Sequence, residues 1–271
     1  MKPATAIGIG VATGGILMSA MMGGTSPAAF MDMPALLIIL CGTGGVTLAS
    51  CGMPAMKRIP ALYKLVFGPP EIDLNARVKQ LVGFAEQARR EGLLALDGQT
   101  SEIEDDFTRK GLQLVVDGTD PDMLREIMET EIDAMSARHK GGAETFKQAG
   151  GYAPTMGIIG TVMGLVHVLS NLSAPETLGP SISAAFIATL FGVGLANVVF
   201  LPVAARLKAL SEEEVEERTL LLEGVMAIQA GDNPRVVAEK LMSFVPPAQR
   251  GADAGADGDP KLSAVPETAA A

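Results

Sequence analysis

Four stretches of the chain, residues 3–31, 33–56, 148–175 and 177–205, contain no Asp, Glu, Lys or Arg. Each can supply the roughly 20 apolar residues that cross a hydrocarbon core about 30 Å thick. Backbone amides in lipid must be satisfied within their own segment, so all four windows are predicted to be transmembrane helices. Between and after them the pattern changes to an amphipathic one. Apolar residues recur at spacings of three and four over Leu74–Leu96 and Ile103–Val116, which predicts helices with one buried face. Asp120-Pro121 reads as an N-cap with proline at the first helical position. No strong breaker precedes Gly150-Gly151, so that helix is expected to run past Lys147 into the third span. Ser211 with Glu214 three residues on reads as a capping box opening a helix toward Ala230. Asn233-Pro234 opens a shorter helix, which Pro246-Pro247 is expected to end.

The expected fold is therefore all-α: a polytopic membrane protein with four transmembrane helices and a helical cytoplasmic domain. Its predicted segments are 1–52 (spans one and two), 53–149 (cytoplasmic helices), 150–205 (spans three and four) and 206–247 (C-terminal helices). A tail over 248–271, rich in Ala, Gly, Asp and Pro, is predicted to be disordered. There is no internal sequence repeat. Composition agrees, since mean hydropathy is +0.31 even though the chain holds 21 basic and 31 acidic residues. The first window resembles a signal peptide in having Lys2 ahead of an apolar run. That run is too long for a signal core, and three further spans keep the chain in the membrane.

Charge then sets topology and removes some partners. Of the basic residues, one is Lys2, 13 fall between Lys57 and Lys147 and seven between Arg206 and Lys261, while the connections 23–33 and 173–180 have none. Basic residues near span ends stay in the cytoplasm. Both termini and the 57–147 region are thus expected inside, with two short loops outside. A net charge of −10 excludes nucleic acid as a natural partner. Cys41 and Cys51 are ten residues apart on one predicted helix, about 15 Å along its axis, and are expected to be unpaired packing residues.

The third and fourth spans carry small residues at helical spacing: Gly157, Gly160 and Gly164 in one, Ala184/Ala185, Ala188, Gly192 and Ala196 in the other. Such faces let membrane helices approach closely. Thr161 and Thr189 lie on these faces near mid-membrane. Their hydroxyls either line an ion path or bond the carbonyl four residues back. No Asp or Glu lies within any span, although proton and sodium relays normally use an intramembrane carboxylate, so an ion-driven machine would need that acid from another chain. His167, the one ionisable side chain within the spans, is rotated off the Thr161 face and is expected to serve packing or an interface near the outer surface. Pro154 and Pro202, near the cytoplasmic ends of their spans, mark helix boundaries or kinks, or a hinge. With two histidines, no HExxH zinc site, no phosphate-binding loop and no nucleophile beside a base, the chain is not expected to be an enzyme or to bind a metal.

Four long stretches carry a resemblance: RKGLQLVVDGTDP at 109–121, GGYAPTMGIIGTVMGLV at 150–166, LGPSISAAFIATLFGVGLAN at 178–197 and EGVMAIQAGDNPRVVAEKL at 223–241. They resemble the A subunit of the flagellar motor stator, the motility protein A family (MotA/PomA type), over nearly all of residues 1–247. The resemblance implies an oligomer, five A subunits around a pair of B subunits (MotB/PomB type). Each B subunit brings the membrane Asp and a cell-wall anchor. Proton or sodium flow turns the A ring, which pushes on the rotor switch protein FliG; no cofactor is implied. Pro154 and Pro202 match the family's two functional prolines. Arg89, Arg90 and Asp97 match its rotor-facing charges, with Asp97 replacing the usual Glu; without the resemblance they read as a solvated helix face. Ala188 and Phe191 stand where relatives often have Thr and Tyr. The pair Thr161 and Thr189 resembles the sodium-type members. An ExbB/TolQ-like proton-driven energiser is the nearest alternative, but its plan has three spans. A small-molecule transporter fits poorly, with neither duplicated halves nor a membrane charge to select substrate.

Overall fold

The computed structural model describes residues 4–100, 103–173 and 175–250, and among these there is helix and no strand. Lys2 and the part of the tail beyond Arg250 lie outside the described residues. The helices are α1 (Ala4–Met22), α2 (Met33–Phe67), α3 (Leu74–Glu91), α4 (Asp97–Thr100), α5 (Asp106–Val116), α6 (Pro121–Ser170), α7 (Pro175–Gly194), α8 (Leu201–Ala230) and α9 (Pro234–Met242). Four helical stretches are long and apolar enough to cross a membrane: Ala4–Met22, Met33–Phe67, Pro121–Ser170 and Leu178–Ala230. The chain divides into two compact units, residues 1–72 with 129–216 and residues 73–128 with 217–271.

The first unit holds the spans. α1 has no buried residue. α2 opens at Asp32, whose carboxylate accepts the Ala35 N–H at 2.9 Å. It is kinked at Gly52, which takes φ +77°, a conformation closed to most side chains. Past the kink it runs on to Phe67, well beyond the charge-free window, and carries Lys57, Arg58 and Lys64. Two apolar clusters hold the unit together. In one, Ala35 meets Ile187 and Ala188. In the other, Val66, Phe146, Val203, Ala204 and Leu207 are packed with Tyr63, whose ring meets Phe146 edge-on at 5.1 Å. Burial raises the Tyr63 phenol above its usual pKa. Two polar ties join α2 to α6: Ser50 Oγ with the Tyr152 hydroxyl at 2.9 Å, and Cys51 Sγ donating to Gln148 Oε1 at 3.3 Å. Both cysteines are free thiols.

The second unit is the water-facing helical part. Asp73, Asp105, Asp120 and Asn233 each cap a helix through the side-chain oxygen, satisfying amides that the first turn leaves without a partner. Its core includes Leu81, Leu96, Leu112, Leu124, Met128, Leu220, Leu221, Ile228 and Leu241. Around that core sit ion pairs that lose much of their water: Arg77 with Glu217 at 2.8 Å, Arg218 with Asp105 at 2.6 Å, and Glu223 shared by Arg125 at 2.9 Å and Lys240 at 2.6 Å. Arg218 also lies over the Phe107 ring, 5.1 Å from its centroid, a cation–π contact.

Three sequence expectations need correction. The helix expected over Leu74–Leu96 stops at Glu91, because Gly92 takes φ +89° and redirects the chain into a short turn before α4. Ser211 does not open a helix. It is a buried residue inside α8; a helix already running satisfies the amides a cap would serve. α9 ends at Met242, ahead of Pro246-Pro247. The run from Pro121 into the third span is continuous as expected.

Burial alone would raise Asp105, but hydrogen bonds from Thr108 and Arg218 outweigh it and hold the carboxyl below its usual pKa. Glu223 is lowered in the same way, with Lys240 and Arg125 outweighing its desolvation. Carboxyls depressed by folding stabilise the folded state above their unfolded pKa of about 4, and that contribution is lost as pH falls through the folded values. Thermal unfolding of the detergent-solubilised protein should therefore show a stability loss beginning below about pH 4. The combined Asp105→Asn and Glu223→Gln variant should be less stable at neutral pH and show a flatter acid limb.

Candidate functional site

The seam between α6 and α7 is built from residues too small to keep the backbones apart. A Cβ added at Gly192 would sit 2.6 Å from the Ala153 carbonyl oxygen, and one at Gly157 would sit 3.0 Å from that of Ala188. At Gly164 and Gly160 an added Cβ would lie 2.6 Å from Ala185 Cβ and 2.7 Å from Ala188 Cβ. This is the close approach that small faces permit in lipid, where dispersion contacts and hydrogen bonds hold helices together.

That approach brings the two predicted threonines together. Thr161 Oγ1 lies 3.1 Å from the Gly157 carbonyl on its own helix and 3.0 Å from the Ala185 carbonyl on α7, and is hydrogen-bonded to Thr189 Oγ1. The carbonyl four residues back is thus within reach of Thr161, and so is a carbonyl across the seam. A hydroxyl has one proton to donate. Thr161 faces two carbonyls and a second hydroxyl with that single proton, so at most one of the three oxygens takes it. The remaining oxygens form a half-buried, neutral cluster of lone pairs, the ligand type that suits a hard cation or a protonated water. Among the described residues no group of three or more His, Cys, Asp or Glu is placed to hold a metal ion.

Beside this pair, α2, α6 and α7 line a groove of about 1040 Å³. Its walls are mainly apolar, and its polar lining is Asp32, His167 and Ser181. His167 is exposed, with Asn171 Nδ2 at 3.4 Å from its Nε2. The histidine expected to serve packing or an interface opens onto the groove. Asp32 was not singled out in the sequence; its signal was an isolated acid followed by Met33-Pro34, an N-cap pattern at the start of α2.

Neither proline ends its helix. Pro154 lies inside α6, where its missing N–H leaves the Gly150 carbonyl without the usual helical partner. Pro202 is the second residue of α8, directly after a widened turn over Leu195–Phe200, in which the Leu201 N–H reaches the Ala196 carbonyl five residues back. Widened turns recur at functional sites and relieve the clash between a proline ring and the preceding turn. Nothing in the sequence marked this one except Pro202.

Arg89 and Arg90 occupy the last turn of α3, and Asp97 opens α4. All three are exposed and without ion-pair partners among the described residues. They flank the Gly92 turn, and between them Leu94 is 76 % exposed.

A multi-span bundle with a glycine-tight seam, paired mid-span hydroxyls and no span carboxylate is the architecture of an ion-conducting membrane subunit. The chain belongs to the motility protein A family, within the MotA/TolQ/ExbB proton channel family, whose signature matches residues 99–219. It is 40 % identical to motility protein A of Borreliella burgdorferi, over 92 % of this chain and 96 % of that one. It is 36 % identical to the chemotaxis protein PomA of Vibrio alginolyticus, over 92 % and 98 %. The flagellar MotAB stator complex of Bacillus subtilis contains a chain that superposes with a TM-score of 0.85 at 36 % identity, covering 90 % of this chain and 96 % of that one. The MotAB structure of C. jejuni gives a TM-score of 0.86 at 32 % identity, with 91 % and 96 % covered. The family agrees with the reading of a channel component in the inner membrane rather than an enzyme.

Gly192→Ala should force α6 and α7 apart, because the obstructing atom is backbone and cannot rotate away. Overpacking of this kind costs about 1–3 kcal/mol. A drop in the melting temperature of the purified membrane protein would register it, while Gly8→Ala, whose Cβ would meet nothing within 4 Å, should leave that temperature unchanged.

Proposed function

We propose that this chain is the A subunit of a flagellar motor stator, lying in the bacterial inner membrane with both termini in the cytoplasm. It assembles as a homo-oligomer, five copies around a pair of B subunits, and couples inward proton or sodium flow to torque on the rotor protein FliG. The observation that carries this reading is the Thr161–Thr189 pair in spans that hold no carboxylate of their own. Neutral oxygens can pass a cation along, but they cannot store its charge. A titrating acid must come from a partner, and the B subunit supplies one. The MotAB complexes whose A chains superpose on this one, and relatives named for motility, support the stator over an ExbB/TolQ-like energiser.

In this mechanism an ion moves along the α6–α7 seam to the partner Asp. Neutralising that acid changes its fit against the ring, and the ring steps. Pro154 and Pro202 are the positions at which the spans yield, since each frees a carbonyl from the helical ladder. Arg89, Arg90 and Asp97 pass the step to the rotor as charged contacts. No bound cofactor takes part; the only small species handled is the transported H⁺ or Na⁺.

Deletion of the gene should leave cells flagellated but non-swimming, with motility restored by the wild-type allele and not by the Thr161→Ala, Thr189→Ala double variant. Restoration by the double variant would remove the threonines from the ion path.

Arg90→Glu should impair swimming while the protein still inserts and co-purifies with its B subunit, because an exposed side chain is altered and no packing is lost. A reversed variant that swam like wild type would end the torque assignment.

A further inference from the structure

A second cavity lies in the spanning unit, farther toward the cytoplasmic end of α2 than the groove and the threonine pair. It has a volume of about 110 Å³ and is walled by α2, α6 and the widened Leu195–Phe200 turn. Most of its lining is apolar, with Ile39, Phe146 and Phe200 prominent, but Thr43, Thr47, Thr145 and Tyr63 also face it. Such a volume is several times the ~10–15 Å³ one water molecule needs.

The hydroxyls lining this space are not alike. Thr47 donates to the Thr43 carbonyl at 2.7 Å and Thr145 to the Gly141 carbonyl at 3.1 Å, each four residues back along its own helix. Thr43 is 3 % exposed, and its Oγ1 has no hydrogen-bond partner among the described residues. The back-bonded rotamer that its neighbours adopt is open to any helical threonine, yet Thr43 does not use it. An unmatched buried hydroxyl costs about 1–3 kcal/mol, so its position calls for a partner inside the cavity. The turn beside it is also where the fourth span departs from α-helical bonding.

We propose that this cavity is a hydrated chamber anchored on Thr43, and that it forms the cytoplasmic stage of the ion route, receiving the cation after it leaves the Thr161–Thr189 pair. The proposal rests on the stator reading. Along α2 the groove is lined by residues 32–42 and the chamber by residues 39–47 and beyond. Along α6 the threonine pair sits 12 residues from Ala149 of the chamber wall, about 18 Å of helix. The route then runs from the groove, past the paired hydroxyls, to a chamber whose polar surface is again hydroxyl only. A cation leaving a partner's carboxylate meets no second charge on this chain until it is out of the membrane, so nothing in the spans traps it.

The test uses the full A/B complex in inverted membrane vesicles, with Cys41→Ala and Cys51→Ala as background. Silver ion, close to sodium in size and reactive only with thiols that water reaches, is applied to Thr43→Cys and to Ile158→Cys, whose parent side chain is 58 % exposed on the apolar outside of α6. The thiol at position 43 should be protected from later alkylation, and the one at 158 should not. Absence of protection at 43 would overturn the chamber whatever the motility result. In motile cells Thr43→Val, which keeps the shape and removes the hydroxyl, should slow tethered-cell rotation about fivefold, the rate equivalent of one net hydrogen bond, with Thr43→Ser restoring it. Protection at 43 combined with wild-type rotation of Thr43→Val would show a wet chamber off the route and reject the proposal. Failure of the wild-type allele to restore rotation to the deletion strain would instead reject the stator reading, and the ion route with it.

Discussion

In hydrocarbon no polar atom can fall back on water, and this decides where α6 and α7 can meet and what can sit between them. Gly157 and Gly192 let the two backbones approach until an added Cβ would touch a carbonyl. At that separation a threonine on one helix reaches the carbonyls and hydroxyls of the other. The hydroxyl pair is a consequence of the glycines: with larger residues on the seam, Thr161 would be left with its own backbone alone. Packing and chemistry here are one arrangement, and the apolar clusters around Ala188 and Phe146 fix the helices that carry it.

The two units solve the problem of polar atoms in opposite ways. In the spans, burial is achieved with almost no charge, and hydroxyls share the carbonyls available to them. In the second unit, carboxylates at Asp105, Glu217 and Glu223 are drawn inward and matched by Arg218, Arg77, Arg125 and Lys240. Removing one member of such a set strands its partner in a poorly solvated place, which costs more than the pair contributes. Rigidity in this part therefore depends on complete sets of partners, whereas Arg89, Arg90 and Asp97 lie outside them and remain available for contact with another protein.

Much of this was legible in the sequence wherever the determining physics is local. Charge-free windows announce spans because a buried charge in lipid is costly at any position. Asp120 and Asn233 announce helix starts because their partners are two or three residues away, whereas Asp105 caps a helix expected to begin at Ile103. Thr161 and Thr189 could be placed on one seam from residue spacing alone. What escaped was set by neighbours distant in sequence. Ser211 carries the letters of a capping box, yet it sits mid-helix because α8 arrives already hydrogen-bonded. Gly92 ends α3 against an amphipathic pattern that continues past it. Asp32 and Thr43 gain their interest only from the cavities they line, and no run of residues around either one describes a cavity.

The widened turn at Leu195–Phe200 changes how the fourth span has to be counted. One residue is accommodated there without adding its share of length, so the phase of the helix slips by about 100° between Thr189 and everything after Phe200. A helical wheel drawn straight through the span would assign Val203 and Leu207 to the wrong side. A relative whose fourth span lacked the extra residue would align without a gap in its letters only by misplacing half a helix in space. Comparison of such chains is therefore sound when done separately on the two sides of this turn, each with its own phase.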